Sequence, residues 1–557
     1  MISNFIERAK NGKSVYIFEV RDAFSSAETT VECVIETATD EVNKWCIPIP
    51  KTNNPHEKEF IKNYFYANIY NIISTYGGKY MTLNINKDYS YIRELCSALN
   101  DVFQINSKRS DRYGYGKCMN VTDRINDAFG YPPFRFIQPG KTTKTVPMSL
   151  NKTEKTDEAS TCLTKAVENA SSMVLIGLDI GGTDIKAVGT VNGQIAALME
   201  YDWNPAGMTE IKQMTDAISF VMKELLAKMN ADSLPDGVGV GFPDVIIKNK
   251  IVGGETLKTR GIRKASPDYE TEFKSLLNMT DLLGSYCKPN AIIQMTNDGS
   301  LAAFTAAVEL AHSNRADEIK QGVFAHTLGT ELGTGWIDEN CEIPQIPLEI
   351  YNCIIDLGNY PAHTFKPFDL RSTLNFNTEI AGTMQKYASQ SGAYRLALEY
   401  FKKEASEQYN ELFEKGFIEE KENGIYVITS PEDKRKPLLE HIMKLADAGQ
   451  PQAENIFREI GKYLAATYCE TEFLINPKTK KRILYGRFVK SRKCLHLLQE
   501  GAKELRERME AGNENLAFTP LMKALKEKPD VTVAQFGQAI GAVYFVANYC
   551  KKRKNIV

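Results

Sequence analysis

Residues 173–198, MVLIGLDIGGTDIKAVGTVNGQIAAL, constrain the fold more than any other stretch of the chain. An apolar run of strand length ends at Asp179, the residues Gly181, Gly182 and Thr183 turn the chain, and a second strand begins. Two adjacent glycines at the end of a buried strand let backbone N–H groups approach a ligand closely, because no Cβ intervenes. Such a turn can cradle a phosphate, with the Thr183 hydroxyl as an added donor, or it can be a plain hairpin. Asp179 is placed to hold a Mg²⁺ through water, since a hard cation prefers carboxylate oxygen. Downstream the order reads helix, strand, helix, strand, helix and a second hairpin. Several helices follow, with one strand, KRILYG, among them. Alternation of this kind predicts an α/β architecture with mainly buried sheets.

A composition break precedes this unit. Residues 139–172, PGKTTKTVPMSLNKTEKTDEASTCLTKAVENASS, are rich in Lys, Thr, Ser and Glu and poor in large apolar side chains. They predict a linker over residues 141–172, whose second half from about Asp157 can form a short surface helix. The break divides the chain into a unit of residues 1–140 and one of residues 173–557. The first reads as a separate mixed α/β domain, with SVYIFEV and TVECVIET as strands and EKEFIKNYFYANIYNIISTY and YIRELCSALNDVF as helices. It has two near-misses to the P-loop. Gly12-Lys13-Ser14 has Glu7, and Gly140-Lys141-Thr142 has Arg135, where the first glycine is required. No chemistry is assigned to it. The highly charged residues 399–436 read as a surface insertion.

Three further motifs stand in the larger unit. Thr296-Asn297-Asp298-Gly299-Ser300 joins the apolar run AIIQM to the helical run LAAFTAAVELA. There Asp298 can act as a general base on a hydroxyl or can cap the helix, and Asn297 can bind a substrate hydroxyl or complete a turn. Residues 328–337, LGTELGTGWI, form another glycine-rich turn between strands, suited to phosphate through backbone N–H groups or simply structural. Residues 237–244, GVGVGFPD, have the spacing G-x-G-x-G with no helix opening after it, so a dinucleotide fingerprint fits poorly and a buried strand with a proline turn fits better.

Composition narrows the function classes. Lys plus Arg is 68 against 70 for Asp plus Glu, a formal net charge of -2, which argues against nucleic acid or a membrane surface held by overall charge. The 11 cysteines include no C-x-x-C pair, as expected of free thiols in a reducing compartment. The charged start MISNFIERAKNGKSVYIF lacks the apolar core of a signal peptide, and no stretch reaches the roughly 18 apolar residues of a membrane helix. The expectation is a cytoplasmic protein.

Taken in order, these segments resemble the ROK family of sugar kinases and repressors, within the actin/hexokinase/Hsp70 type of ATPase fold. LDIGGTDIKA looks like the family's first phosphate motif, GVGVGFPD like the strand and turn near its sugar site, TNDGSLAAFTAA like the stretch with the catalytic Asp, and LGTELGTGW like the second phosphate motif. Residues 449–489 look like the helix, Asn-Pro turn and strand leading toward the adenosine pocket, and FGQAIGAVYFVAN resembles the closing Gly-Ala helix. The resemblance spans about Met173 to Asn548 and leaves out the first 140 residues. It implies a two-lobed actin-like (ribonuclease H-like) fold and ATP-dependent phosphorylation of a hydroxyl of a hexose or related sugar. It makes Asp298 the general base, Asn297 a sugar contact and Asp179 the organiser of Mg²⁺. Gly181, Gly182 and Thr183 would hold the phosphates from one lobe and Gly329, Thr330 and Gly333 from the other, with Gly486 near the nucleotide.

Several positions depart from the family pattern. Glu331 stands where the family has Gly, and the strand toward adenosine ends in Tyr485-Gly486-Arg487 instead of Gly-Gly. The family's Glu-x-x-His sugar signature aligns with PLEIYNCIID, giving Glu349 as a sugar ligand and Asn352 in place of His. Only Cys341 and Cys353 lie near, so no structural zinc is expected. The implied partners are ATP, Mg²⁺ and a small sugar, with no nucleic acid or membrane; a homo-oligomer is compatible with the sequence. The competing reading is a catalytically weak sugar- or nucleotide-sensing regulator on the same fold. For the N-terminal unit a protein-binding role is open, as is a purely structural one, for example a dimer contact or a lid over the sugar cleft.

Overall fold

The computed structural model describes every residue except 88, 139–155, 330–331, 360–364, 366–367, 423, 507–508, 512–515 and 551–557. The N-terminal sheet has the order β2-β1-β3-β4, from β1 (Thr29–Glu36), β2 (Val42–Ile49), β3 (Tyr80–Ile85) and β4 (Phe136–Ile137). β1 alternates buried and half-buried residues along its length, the period of a sheet covered on one face. The helix Pro55–Tyr76 starts where the Asn54 side chain accepts hydrogen bonds from the N–H groups of His56 and Glu57, with Pro55 at its first position. Of its 22 residues, 16 are buried. A helix apolar on all sides needs cover on all sides. This one packs on β2 and the helix Cys118–Phe129 of its own unit, and on the helix Pro451–Leu474 and the turn Ile350–Asn352 of the larger one.

The N-terminal unit keeps a sheet of its own and is joined to the larger unit through a shared core. Tyr64, Phe65 and Ile69 share one apolar core with Phe324, Ile354, Phe457 and Tyr468. At its centre Arg21 pairs with Glu470 at 2.7 Å, both side chains nearly inaccessible, while Asn68 accepts from Arg21 and Asn71 donates to Glu470. Removing one partner of such a buried pair costs about 3–5 kcal/mol, because the other charge is left uncompensated. The predicted strand SVYIFEV is corrected: Tyr16 makes a single bridge to Asp356 and the helix Ile17–Phe24 follows. Its Ile17, Val20, Arg21 and Phe24 fall on one helical face, which is buried. The segment is too short for periodicity to separate helix from strand.

The first lobe is built on β5 (Val174–Ile180), β6 (Asp184–Val191), β7 (Gln194–Asp202), β8 (Gly237–Phe242) and, beyond the small hairpin β9 (Ile246–Ile247) and β10 (Lys250–Ile251), β11 (Ile292–Asn297). The order is β11-β8-β5-β6-β7, antiparallel from β5 through β7 and parallel from β5 through β11. The helix Val533–Cys550 lies so close to this sheet that a Cβ on Gly177 or Gly239 would stand 1.9 Å from its carbonyl oxygens. The second half of the expected linker is helical. Thr156–Ala170 is a helix, and Leu163, Ala166 and Ala170 bury one face of it against the first lobe's helices.

The second lobe repeats the pattern with β12 (Val323–Leu328), β13 (Leu332–Ile337), β16 (Arg482–Gly486) and β17 (Met509–Ala511) in the order β13-β12-β16-β17. β12 and β13 are antiparallel, and β16 and β17 add in parallel. The small hairpin β14 (Ile418–Lys421) and β15 (Gly424–Val427) lies in the charged segment. A hairpin followed by parallel strands, used twice, is the two-lobed actin-like, ribonuclease H-like architecture. Among the described residues no helix is long and apolar enough to cross a membrane.

Candidate active site

The first glycine turn closes on itself. Gly181 N–H donates to the Asp184 carbonyl at 2.8 Å, and the Trp203 indole N–H donates to the Gly181 carbonyl at 3.0 Å. The Gly181 carbonyl is thus held by Trp203, while Gly182 and Thr183 are exposed at the tip. The Asp184 carboxylate, which would repel a phosphate, is paired with Lys186. Asp179 is the last residue but one of β5, just before the turn. Burial, reinforced by the charges of Asp298 and Asp184, pushes its carboxyl up to about 7 against the pull of Lys186.

Asp298 opens the helix Asp298–Ala311 directly after β11, but the cap is its neighbour. The Asn297 side-chain oxygen accepts from Gly299 N–H at 2.9 Å, and its amide donates to the Asp244 carbonyl at 3.0 Å. Asp298 also accepts from Gly299 N–H, at 2.8 Å, through Oδ1. Burial raises its pKa above the usual carboxylate value, with Lys258 opposing. At this helix start the two lobes meet backbone to backbone. A Cβ on Gly299 would stand 2.3 Å from the Thr334 carbonyl oxygen, and one on Gly335 would stand 1.8 Å from that of Gly299. Only glycine at both positions lets the helix carrying Asp298 meet β13.

On the second lobe, Gly329 and Gly333 flank the hairpin between β12 and β13, and Gly333 faces Thr327 in register. Gly486 ends β16 opposite Leu328, with φ +97° and room for no Cβ, which would lie 2.3 Å from the Leu328 carbonyl oxygen. Gly329, Gly333 and Gly486 are thereby gathered at one end of the sheet. Thr330 and Glu331 lie outside the described residues. Arg487 pairs with Glu440.

On the opposite side of Asp298 lies a group of carboxylates that the sequence reading grouped only in part. Asp244, after β8, is buried and accepts from the N–H groups of Val245 and Gly254, at 2.7 and 2.9 Å. Burial still pushes it up to about 6. Glu349 precedes the short turn Ile350–Asn352. It accepts from the Tyr351 hydroxyl at 2.9 Å and the Asn352 amide at 3.2 Å. Burial, with the charges of Asp244 and Glu255 adding to it, pushes Glu349 up to about 8. Lys258 completes the cleft: its Cε would lie 3.3 Å from a Cβ on Gly182, and its charge acts on Asp298. Trp203, Asp244, Glu255 and Lys258 were not singled out as site residues from the sequence. For Lys258 no motif existed to find, only its place in the glycine-containing loop after β10.

Two facing lobes of this strand order, with glycine turns and carboxylates between them, define the class as an actin/hexokinase-type fold. No family model and no curated protein matches the chain. Solved structures similar to it include a ROK hexokinase from Thermus thermophilus, 12% identical over 69% of this chain and 100% of that one, with a TM-score of 0.42. A ROK family glucokinase from Streptomyces griseus in complex with glucose and AMPPNP is 18% identical over 67% of this chain and 98% of that one, at 0.41. A ROK family transcriptional regulator, a homologue of the E. coli MLC protein, is 12% identical over 80% of this chain and 99% of that one, at 0.43. The fold assignment itself rests on strand order and register.

Proposed function

We propose that this protein is a sugar kinase, transferring the terminal phosphate of ATP, with Mg²⁺, to a hydroxyl of a hexose or related sugar. The observation that carries this reading is that Asp298 opens a helix whose capping is left to Asn297, near enough to Asp179 for its charge to be felt there. A carboxylate at a helix start that is not needed as the cap is free for proton transfer. Asp298 takes the proton of the attacking hydroxyl as its oxygen bonds phosphorus and the bond to the leaving ADP breaks. Gly182, Thr183, Gly329 and Gly333 orient the phosphates through backbone N–H groups, and Lys258 supplies positive charge beside them.

Asp179 suits a hydrated Mg²⁺, since a carboxylate pushed up to about 7 by burial and two acidic neighbours regains its charge beside a cation. An ion there would be held through that carboxylate, water and substrate phosphates. When bound, Mg²⁺ supplies charge neutralisation at the phosphates. Asp244, Glu255 and Glu349 suit a polyol, whose hydroxyls donate to them, and disfavour an acidic sugar.

Mg²⁺-dependent ADP production from ATP across hexoses, amino sugars and N-acetyl sugars tests this directly. Turnover on one class supports the kinase. Binding of a sugar without turnover on any favours the regulator.

A further inference from the structure

The N-terminal unit, fused to the second lobe, also reaches the first lobe through the helix Cys118–Phe129. Val121 and Ile125 of this helix pack with Ala38 against Ile247 of the small hairpin β9–β10 and against Val245 and Val252 on either side of it. Beside them Arg124, 5% exposed, donates to the Gly253 carbonyl, pairs with Glu255 at 2.9 Å and with Glu270 at 2.6 Å, and stands over the ring of Phe273. Asn120, one turn earlier, donates to Glu255 at 3.2 Å.

The loop these residues touch is compressed between two charges. A Cβ on Gly253 would stand 1.7 Å from Asp244 Oδ1, and one on Gly254, at φ +76°, would stand 3.0 Å from Arg124 Cζ. Arg124 thus presses on one side of the loop and Asp244 holds the other. Asp244 in turn receives the amide of Asn297, the residue before Asp298. Five residues past Gly253 the same loop delivers Lys258 to the first phosphate turn.

We propose that Arg124 is a positioning residue that makes the N-terminal unit part of the substrate site. It fixes the loop of residues 253–263 so that Glu255 and Lys258 stand in register with Asp298. The inference deepens the kinase reading and rests on it for its catalytic consequence. The hold on the loop is a separate physical claim. A plain adhesive role is the alternative, but the hydrogen bonds of Arg124 given above go to the loop or to Glu270 on its flank. Adhesion between units is already supplied by the continuous core and the Arg21–Glu470 pair.

The test compares Arg124→Ala and Arg124→Lys with the parent, as full-length chains. Hydrogen exchange is read on peptides covering residues 250–263 and 451–474, alongside KM for sugar, KM for ATP and kcat. Arg124→Ala is expected to speed exchange in residues 250–263 while leaving 451–474 as in the parent. The sugar KM is expected to rise by about tenfold to a hundredfold as Glu255 shifts and kcat to fall as Lys258 shifts, with the ATP KM changed by less than about twofold. Arg124→Lys keeps the charge without the fork and restores part of the loss. If Arg124→Ala does not fold, Arg124→Lys and Asn120→Ala carry the same comparison. Exchange that rises equally in both peptides, or a sugar KM unchanged while stability falls, overturns the proposal in favour of adhesion. A parent with no turnover on any sugar, together with exchange confined to the loop in the variant, sinks the kinase reading and supports the hold on the loop.

Discussion

Replacing Gly299 with Ala tests whether the meeting of the two lobes at the Asp298 helix is as tight as its geometry requires. The added Cβ would stand 2.3 Å from the Thr334 carbonyl oxygen and 2.8 Å from its carbon. Both atoms are backbone, so no rotamer change relieves the clash. Restoring ordinary contact moves the helix start from β13 by roughly 1 Å, a displacement that can cost about a hundredfold in rate when it misplaces a reacting group. Overpacking of this kind costs about 1–3 kcal/mol in stability. Gly284→Ala is the matched control: it ends the helix Met279–Gly284 and has no neighbour within 4 Å of its Cβ position. It is expected to stay within about 0.5 kcal/mol of the parent. Thermal unfolding and initial rates of ADP formation read both variants. A Gly299→Ala protein with the parent's Tm and rate would refute the close backbone contact.

Three other outcomes are expected. With Asp179 near 7 and Asp298 also raised, both lose charge as pH falls, so kcat/KM should decline on the acid side of about pH 7 and the limb should move to lower pH under saturating Mg-ATP; a flat profile from pH 6 to 8 contradicts this. Asp179, Asp244 and Glu349 all titrate above the unfolded carboxylate value, so the folded state binds more protons between about pH 4 and 8. The ligand-free protein should therefore lose stability as pH rises through that window, by up to about 1.4 kcal/mol per group per pH unit, and a Tm that rises from pH 5.5 to 8 speaks against it. Lys258→Met should lower kcat by about tenfold to a hundredfold with little change in sugar KM, and equal rates would remove Lys258 from the phosphate side of the cleft.

Much of the cleft was legible because its parts are local. A strand ending in Asp179 before Gly181-Gly182-Thr183, and a strand–helix junction at Asn297-Asp298, are short-range patterns, and the α/β alternation fixed how they would be carried. The division of labour between Asn297 and Asp298 was not legible, since either side chain suits a helix start and only the contact with Asp244 decides. The contacts of the N-terminal unit with the larger one were not legible because their partners lie far along the chain, 283 residues from Asn71 to Ile354 and 449 from Arg21 to Glu470. One clue was present: FIKNYFYANIYNIISTY is apolar on every helical face, and such a helix needs more cover than its own sheet gives. Arg124 and Glu255 lie on different units and pair only in three dimensions, so no spacing announced them.

Asp298→Asn tests the central claim most directly. The substitution keeps the side chain's shape and its bond to Gly299 N–H, and Asn297 still caps the helix, so the Tm should match the parent's. Removing a general base should lower kcat by about 10²–10⁴-fold on the sugar the parent phosphorylates, with sugar binding retained. A variant that turns over at the parent's rate would contradict the account, because Asp298 would then be a structural residue and the cleft would work by other means.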